Sequence, residues 1–353
     1  MKKIKQIVGI DVAQLELVVT LGFMFEDLSL QISGAKTFTN NVKGFNALMA
    51  WLKKNGDDKV SLHFVMEATG VYHEKLAYFL DDRHFSISVV LPNKISNYFR
   101  TLEVKTINDQ TASMAITRFG LERKLDIWVR PRPVYRSLRQ LSRERNQIID
   151  QRTMAMNQLH AEQCEADSSA DSIERIKERI KFFRQQEKEV VADIKALIRK
   201  DAKLSEDITL MSSAVGVGEI TAATVLGELN GFELIRNKRQ VASYAGFDVI
   251  EKKSGTSVRG KSKISKRGNK YLRKAMYMPA LTAVKHDDRF KAIYARLISR
   301  HGIKMKALTA IQRKLLEMMY TIFKTRKPYD RNYLNNITKS KDQEVQKIRA
   351  VIE

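Results

Sequence analysis

Cysteine is almost absent: among 353 residues only Cys164 carries a thiol. Intramolecular disulfides and cysteine-rich zinc sites are therefore excluded, and a reducing, cytoplasmic setting is expected. Proline is scarce as well, with five residues, which predicts long helices through most of the chain. No apolar run approaches the roughly 18 residues of a membrane-spanning helix. The opening MKKIKQIVGIDVAQLELVV meets Asp11 before any signal-like apolar stretch develops, so neither membrane insertion nor secretion is expected. Acids are in deficit: 40 Asp and Glu face 63 Lys and Arg, for a formal charge of +23. That is the balance of a polyanion binder, nucleic acid first. With 43% hydrophobic residues the chain is no disordered basic tail, and at roughly 150 residues per domain it should hold two domains and a connector.

Residues 4–12 and 15–22 are short and rich in β-branched side chains, and strand-like runs recur at 28–33, 60–66 and 85–91. Between the later runs, Phe45, Leu48, Met49 and Leu52, then Leu76, Phe79 and Leu80, repeat at helical spacing. The predicted order is three strands, helix, strand, helix, strand, helix, which matches an RNase H-like α/β fold. From about 135 to 200 neither proline nor glycine occurs. Two long helices are expected there, joined near 165–172, where EADSSAD supplies turn and cap residues. A solvated spacer and a dimerising coiled-coil arm both fit that pattern. The predicted organisation is α/β plus α: 1–130 RNase H-like, 131–203 helical connector, 204–330 a mostly helical second domain, and 331–353 a polar tail.

Three acids of the first domain stand out. Asp11 interrupts the apolar strand IVGIDV, Glu67 ends VSLHFVM, and Asp109 opens the helix after the last strand. Each has an ordinary reading: a strand-end residue, a surface acid, and a helix cap with Thr106 or Asn108 competing. In an RNase H-like sheet the three positions converge on one edge, where clustered carboxylates suit Mg²⁺ and an in-line phosphoryl displacement.

In the second domain, Val215, Gly216, Val217 and Gly218 sit between helical segments and read either as a simple glycine turn or as a helix-hairpin-helix-like motif that receives a phosphate on backbone N–H groups. Further on, Lys252, Lys253, Arg259, Lys261, Lys263, Lys266, Arg267, Lys270, Arg273 and Lys274 crowd one stretch against the single acid Glu251. Glycines and serines interleave them, which suits a loop that follows a phosphate backbone better than a merely solvated face. Ser254 reads as a turn residue or as a nucleophile whose neighbours Lys253 and Arg259 steady phosphoryl charge.

GIDVAQ, MEATGVYHEKLAYFL, VKTINDQTASMAI, AVGVGEITAATVLGEL, SYAGFDVIEKKSGTSVRGKSKISKRGNKYLRKAMY and a closing KPYD together resemble the IS110-family transposases over nearly the whole chain. The resemblance implies a RuvC-like DEDD domain followed by a transposase domain with a catalytic serine. Carried over, it makes Asp11, Glu67 and Asp109 catalytic metal ligands for Mg²⁺ and Ser254 the nucleophile, with Ser257 and Ser262 as fallbacks. Ala112 stands where a fourth acid is expected, so that either Asn108 or water completes the site or the match to the family is shifted by a few residues. It further implies an insertion-sequence recombinase acting on donor and target DNA, guided by an element-encoded bridge RNA, working as a homodimer or homotetramer, with a composite site drawn from both domains. A RuvC-like structure-specific nuclease using metal-activated water, and a non-catalytic nucleic-acid scaffold, are the competing readings.

Overall fold

The computed structural model describes residues 1–68, 71–102, 106, 108–233, 235–251, 253–254, 258–260 and 263–332, with backbone alone at 93, 253–254 and 258–259. The chain forms two units, Met1–Arg130 and Pro131–Glu353.

The first unit is built on a mixed six-stranded sheet. β1 (Lys3–Val12) and β2 (Glu16–Phe25) make an antiparallel hairpin. β3 (Leu30–Ile32) pairs with the second half of β2 and β4 (Lys36–Thr39) with the first half. After α1 (Val42–Asn55), β5 (Leu62–Glu67) lies parallel to β1. After α2 (Glu74–Asp81), β6 (Ser86–Val90) lies parallel to β5. α3 (Pro92–Phe99) and α4 (Asp109–Glu122) complete the unit. The order β3-β2-β1-β5-β6 is the expected RNase H-like, RuvC-like arrangement. Two elements escape the periodicity: β4, whose KTFT buries only Phe38, and α3, opened by Pro92.

Alternation sorts the two faces of the sheet. Val8, Ile10, Leu17, Val19 and Leu21 pack against Phe45, Leu48 and Leu52 of α1 and Leu76 and Leu80 of α2. On the other face Ile7 and Val65 meet Ile116 and Leu121 of α4. That helix lies so close that a Cβ at Gly9 would sit 2.1 Å from Thr117 Oγ1. The absence of a side chain at Gly9 is what lets α4 dock, and Thr117 Oγ1 then donates to the Thr20 carbonyl at 3.1 Å.

The second unit begins with a helical hairpin, α5 (Pro133–Cys164) and α6 (Ala170–Lys200), where Ser169 caps α6. Its base shares one core with the rest of the unit, through Tyr135, Leu138, Ile148, Val190, Ile194 and Ile198. Its far end has a small cluster of its own, Ala155, Ile176 and Ile180. α7 (Ala202–Met211) and α8 (Glu219–Glu228) flank the glycine hairpin. There Gly216 has φ +87°, and a Cβ would meet the Pro279 carbonyl at 2.4 Å, so only glycine turns the chain at this point. α9 (Lys238–Ala245) leads into two short antiparallel pairs, β7 (Val249–Ile250) with β10 (Lys263–Ile264), and β8 (Lys253–Ser254) with β9 (Val258–Arg259). α10 (Lys270–Ala275), α11 (Tyr277–His286), α12 (Asp288–His301) and α13 (Lys304–Thr325) follow. The closing KPYD segment is tied down by Tyr329, whose OH donates to Asp287 Oδ2 and whose backbone N–H donates to Ser213 Oγ, both at 2.8 Å. Of the polar tail, residues 333–353 lie outside the described residues, and no described helix is long and apolar enough to cross a membrane.

Candidate catalytic and nucleic-acid sites

The two-residue period of β1 puts Asp11 on the face of Ile7 and Gly9, which α4 covers. On β5 the same period carries the face of Val65 on to Glu67. The two strands are parallel, with Ile10 opposite Met66, so Asp11 and Glu67, each one residue further, emerge at the same carboxyl-terminal edge. α4 runs back along this face: positions 120 and 117 lie over Ile7 and Gly9. Its first residue, Asp109, is thereby brought to the Asp11 end. Helix capping falls to Asn108, not Asp109. Asn108 Oδ1 accepts from the Thr111 N–H while Thr111 Oγ1 accepts from the Asn108 N–H, both at 2.9 Å.

Half-burial raises the pKa of Asp11 above the ordinary carboxylate value, and the charge of Asp109 raises it further, against a smaller lowering by the Val12 backbone. A carboxylate whose ionisation is opposed by a neighbouring acid is a donor suited to a hard cation. Mg²⁺ commonly takes one or two carboxylates and leaves its other positions to water and phosphate oxygens, and Asp11 with Asp109 fits that pattern. Glu67 shares their edge and face. Among the described residues, however, no three of His, Cys, Asp and Glu stand close enough to hold an ion by themselves. Ala112 is half-buried on α4 with no acid to offer, and Asn108 Oδ1 is taken by the cap. The neighbouring Ser113 Oγ is shared between Thr20 Oγ1 at 2.8 Å and the Gln110 carbonyl at 2.9 Å.

In the second unit the backbone puts Ser254 at the end of β8, opposite Val258. The side chains of Lys253, Ser254 and Arg259 lie outside the described residues, as do Lys252, Ser257, Lys261 and Ser262 altogether. The base of this loop is firmly tied. Ser265 Oγ donates to Asp248 Oδ1 at 2.6 Å, and the N–H groups of Ser265, Lys266 and Asn269 donate to the carbonyls of Asp248, Gly246 and Tyr244. Lys263, Lys266, Arg267 and Lys270 are exposed. Arg273 turns inward instead, Nη1 donating to the carbonyls of Ala245 at 2.7 Å and Gly268 at 3.1 Å.

Beside the loop lies a network that the sequence did not announce. The Glu228 carboxylate is fully buried. It accepts two bonds from Arg143, both at 2.8 Å, and one from Asn269 Nδ2 at 2.6 Å. Asn269 also caps α10, its Oδ1 accepting from the N–H groups of Tyr271 and Leu272. The available signal was a lone acid in the apolar run AATVLGEL, which a buried carboxylate can occupy only with a partner.

Residues 8–162 match a transposase domain family of the IS110 DEDD type, and residues 208–295 match the Transposase IS116/IS110/IS902 family. A pilin gene-inverting protein of Moraxella bovis is 27% identical over 301 residues, covering 84% of this chain and 90% of that protein. The uncharacterized 43.6 kDa protein of insertion element IS110 from Streptomyces coelicolor is 28% identical over 115 residues, 33% of this chain and 28% of its own length. The transposase for insertion sequence element IS1111A of Coxiella burnetii is 26% identical over 147 residues, 40% of this chain and 39% of its own length. With matches in both halves of the sequence, in the order that its motifs follow, the chain belongs to the IS110/IS116/IS902 family of transposases, enzymes of DNA recombination.

Proposed function

We propose that this chain excises and inserts its element by cutting and rejoining DNA through Ser254, with Mg²⁺ held by Asp11 and Asp109 and with Glu67 serving the same edge. The observation that carries the reading is the pairing of Asp11 and Asp109 at the open end of the sheet, where the charge of one opposes ionisation of the other. A bound divalent cation would neutralise phosphoryl oxygens there. Ser254 Oγ attacks the scissile phosphorus. The new O–P bond forms, the phosphodiester bond to the departing strand breaks, and the hydroxyl proton ends on the departing oxygen. The phosphoserine ester conserves the energy of the broken bond, so attack by the hydroxyl of another strand regenerates Ser254 without a nucleotide cofactor.

The exposed Lys263, Lys266, Arg267 and Lys270 grip phosphate backbone, and the same role is proposed for Lys252, Lys253, Arg259 and Lys261. Arg273 serves that surface through the carbonyls it holds. Sequence choice belongs to an element-encoded bridge RNA paired with donor and target DNA, a division of labour in which protein contacts go to backbone and base pairing reads sequence. The chain works as a homodimer or homotetramer, since joining two sites requires two sets of strands to be held at once. The similar proteins named for pilin gene inversion and for transposition fit one breaking-and-joining chemistry. The test is incubation with labelled donor and target DNA, the RNA and Mg²⁺, followed by denaturation. A protease-sensitive protein–DNA adduct is expected in wild type and not in Ser254→Ala or Asp11→Ala. An adduct that survives Ser254→Ala and vanishes in Ser257→Ala moves the nucleophile. Recombination with no adduct in any variant replaces serine attack by metal-activated water or a DNA hydroxyl, and unchanged recombination without RNA removes the guide.

A further inference from the structure

Arg143, on α5, has a guanidinium that is only partly used. Nε and Nη2 grip the two oxygens of Glu228, each at 2.8 Å. Its Cζ lies 4.8 Å from the centroid of the Tyr271 ring, and Lys270 Nζ lies 5.2 Å from the same ring. The Arg143 side chain is 40% exposed, while that of Glu228 is completely buried. Among the described residues nothing accepts a bond from Arg143 Nη1. Close by, Tyr244 is 41% exposed as a residue while its phenol end is buried. Its phenol is held above the ordinary tyrosine value, by burial first and by the Glu228 charge second.

A buried carboxylate is a costly way to fasten one helix to another, since apolar side chains of similar volume commonly do as well or better. What the ion pair provides is direction. A guanidinium fixed along one edge by a bidentate carboxylate and stacked on a ring has its remaining donors aimed before any ligand arrives. Glu228 neutralises Arg143, so the exposed ammonium of Lys270 leaves the patch positive. A donor fork, an adjoining cation and two tyrosine rings are the elements with which proteins hold a phosphodiester next to an unstacked base.

We propose that Arg143, Lys270 and Tyr271 form a nucleic-acid subsite that takes one backbone phosphate, and that Glu228 is the positioning residue that aims Arg143 at it. The subsite carries the basic surface of the loop onto α5, a helix more than a hundred residues earlier in the chain. It rests on nucleic acid being the partner and not on the chemistry of Ser254.

The test is binding by the full-length protein, followed by fluorescence anisotropy over a series of salt concentrations. One probe is a labelled DNA duplex and the other a labelled single-stranded RNA. In the double variant Arg143→Met/Glu228→Leu the ion pair gives way to apolar side chains, and the thermal midpoint should stay near wild type. Affinity at a fixed salt concentration should fall about tenfold, the order of one hydrogen bond to a charged group, while the slope of log K against log salt changes little because Lys270 still faces the phosphate. The probe that shows the change identifies the source of the phosphate. Arg143→Lys, which keeps a cation against Glu228 but lacks the spare donor of the fork, should weaken binding to the same probe about threefold, near the lower end for the loss of one hydrogen bond. Wild-type affinity in the folded double variant, or in Arg143→Lys should the double variant not fold, overturns the subsite and leaves the pair a purely structural tie. A wild-type chain that binds neither probe would instead overturn the proposed function.

Discussion

The two units carry charge very differently. Residues 1–130 hold 17 Lys and Arg against 14 Asp and Glu, while residues 131–353 hold 46 against 26. The site acid Asp11 also differs from the buried acids of the second unit. In the basic unit several buried or half-buried carboxylates are matched by arginine: Glu228 by Arg143, Asp207 by Arg326, and Glu187 by Arg145 and Arg152. Among the described residues of the near-neutral unit the strongest charged influence on Asp11 is another acid, Asp109. A lysine beside that pair would satisfy it and close it to a metal ion. A carboxylate pair in a near-neutral unit and cations concentrated in the other suit a cation and a polyanion respectively.

The hardest test of that separation is removal of the acids. Asp11→Asn and Asp109→Asn should each lower strand cleavage more than about a hundredfold, a loss typical of removing one electrostatic element of a phosphoryl-transfer site. Duplex affinity measured in the same preparations should stay within a factor of two or so, because no phosphate contact is removed. Parallel loss of binding would show that the first unit also grips.

Much of this division was legible in the sequence. Asp11 within IVGIDV and Glu67 after VSLHFVM were visible because a strand tolerates an acid most readily where it leaves the sheet. Asp109 was visible because it opens a helix, although its competition with Asn108 for the cap was decided only by the structure. The length of α5 and α6 followed from the lack of proline and glycine. What was hidden depends on pairing across long separations. Glu228 meets Arg143 over 85 positions and Asn269 over 41, and nothing local to Arg143 marks it among the many arginines of α5. β4 and α3 were hidden for another reason: each is too short to establish a period.

A second test acts on the first unit alone. Both tryptophans, Trp51 and Trp128, lie in it, so their fluorescence reports its unfolding without the other. Gly9→Ala places a methyl group 2.1 Å from Thr117 Oγ1 and 2.4 Å from the Thr117 backbone nitrogen, and α4 must lift off β1 to admit it. A loss of about 3 kcal/mol is expected, at the upper end for overpacking because backbone is involved. Denaturant titration by tryptophan fluorescence measures it, and a wild-type midpoint would mean that α4 does not pack as described. The third test acts on charge. Replacing Lys263, Lys266 and Lys270 by Gln should flatten the salt dependence of duplex binding by about 2.7, three contacts at roughly 0.9 each. Replacing the exposed Lys43, Lys53 and Lys54 of the first unit should leave the slope where it was. Equal effects from the two triplets would remove the distinction between the units.

The smallest expected effect is a pH dependence at the end of the sheet away from the carboxylates. His63 lies near the start of β5, and its Nε2 is 2.9 Å from Ser88 Oγ, which itself donates to the Asp126 carbonyl at 2.7 Å. Burial lowers the pKa of His63 from the ordinary 6.5, and the positive charge of Lys5 lowers it further. Lys5 cannot swing away freely, because its ammonium donates to the carbonyls of Gly120, Leu121 and Arg123 at the end of α4. The folded unit therefore holds His63 neutral where the unfolded chain would protonate it. A base with a depressed folded pKa gives stability that is complete above the unfolded value and declines as pH falls below 6.5. One full proton would give a slope of about 1.4 kcal/mol per pH unit, and partial exposure of the ring keeps the expected slope well below that. Denaturant midpoints read from the tryptophans at pH 7.5 and pH 5.5 should differ more in wild type than in His63→Gln, which keeps a polar group near Ser88 without a titrating ring. Identical pH dependence in both proteins would assign the acid sensitivity of the first unit to its carboxylates and not to His63.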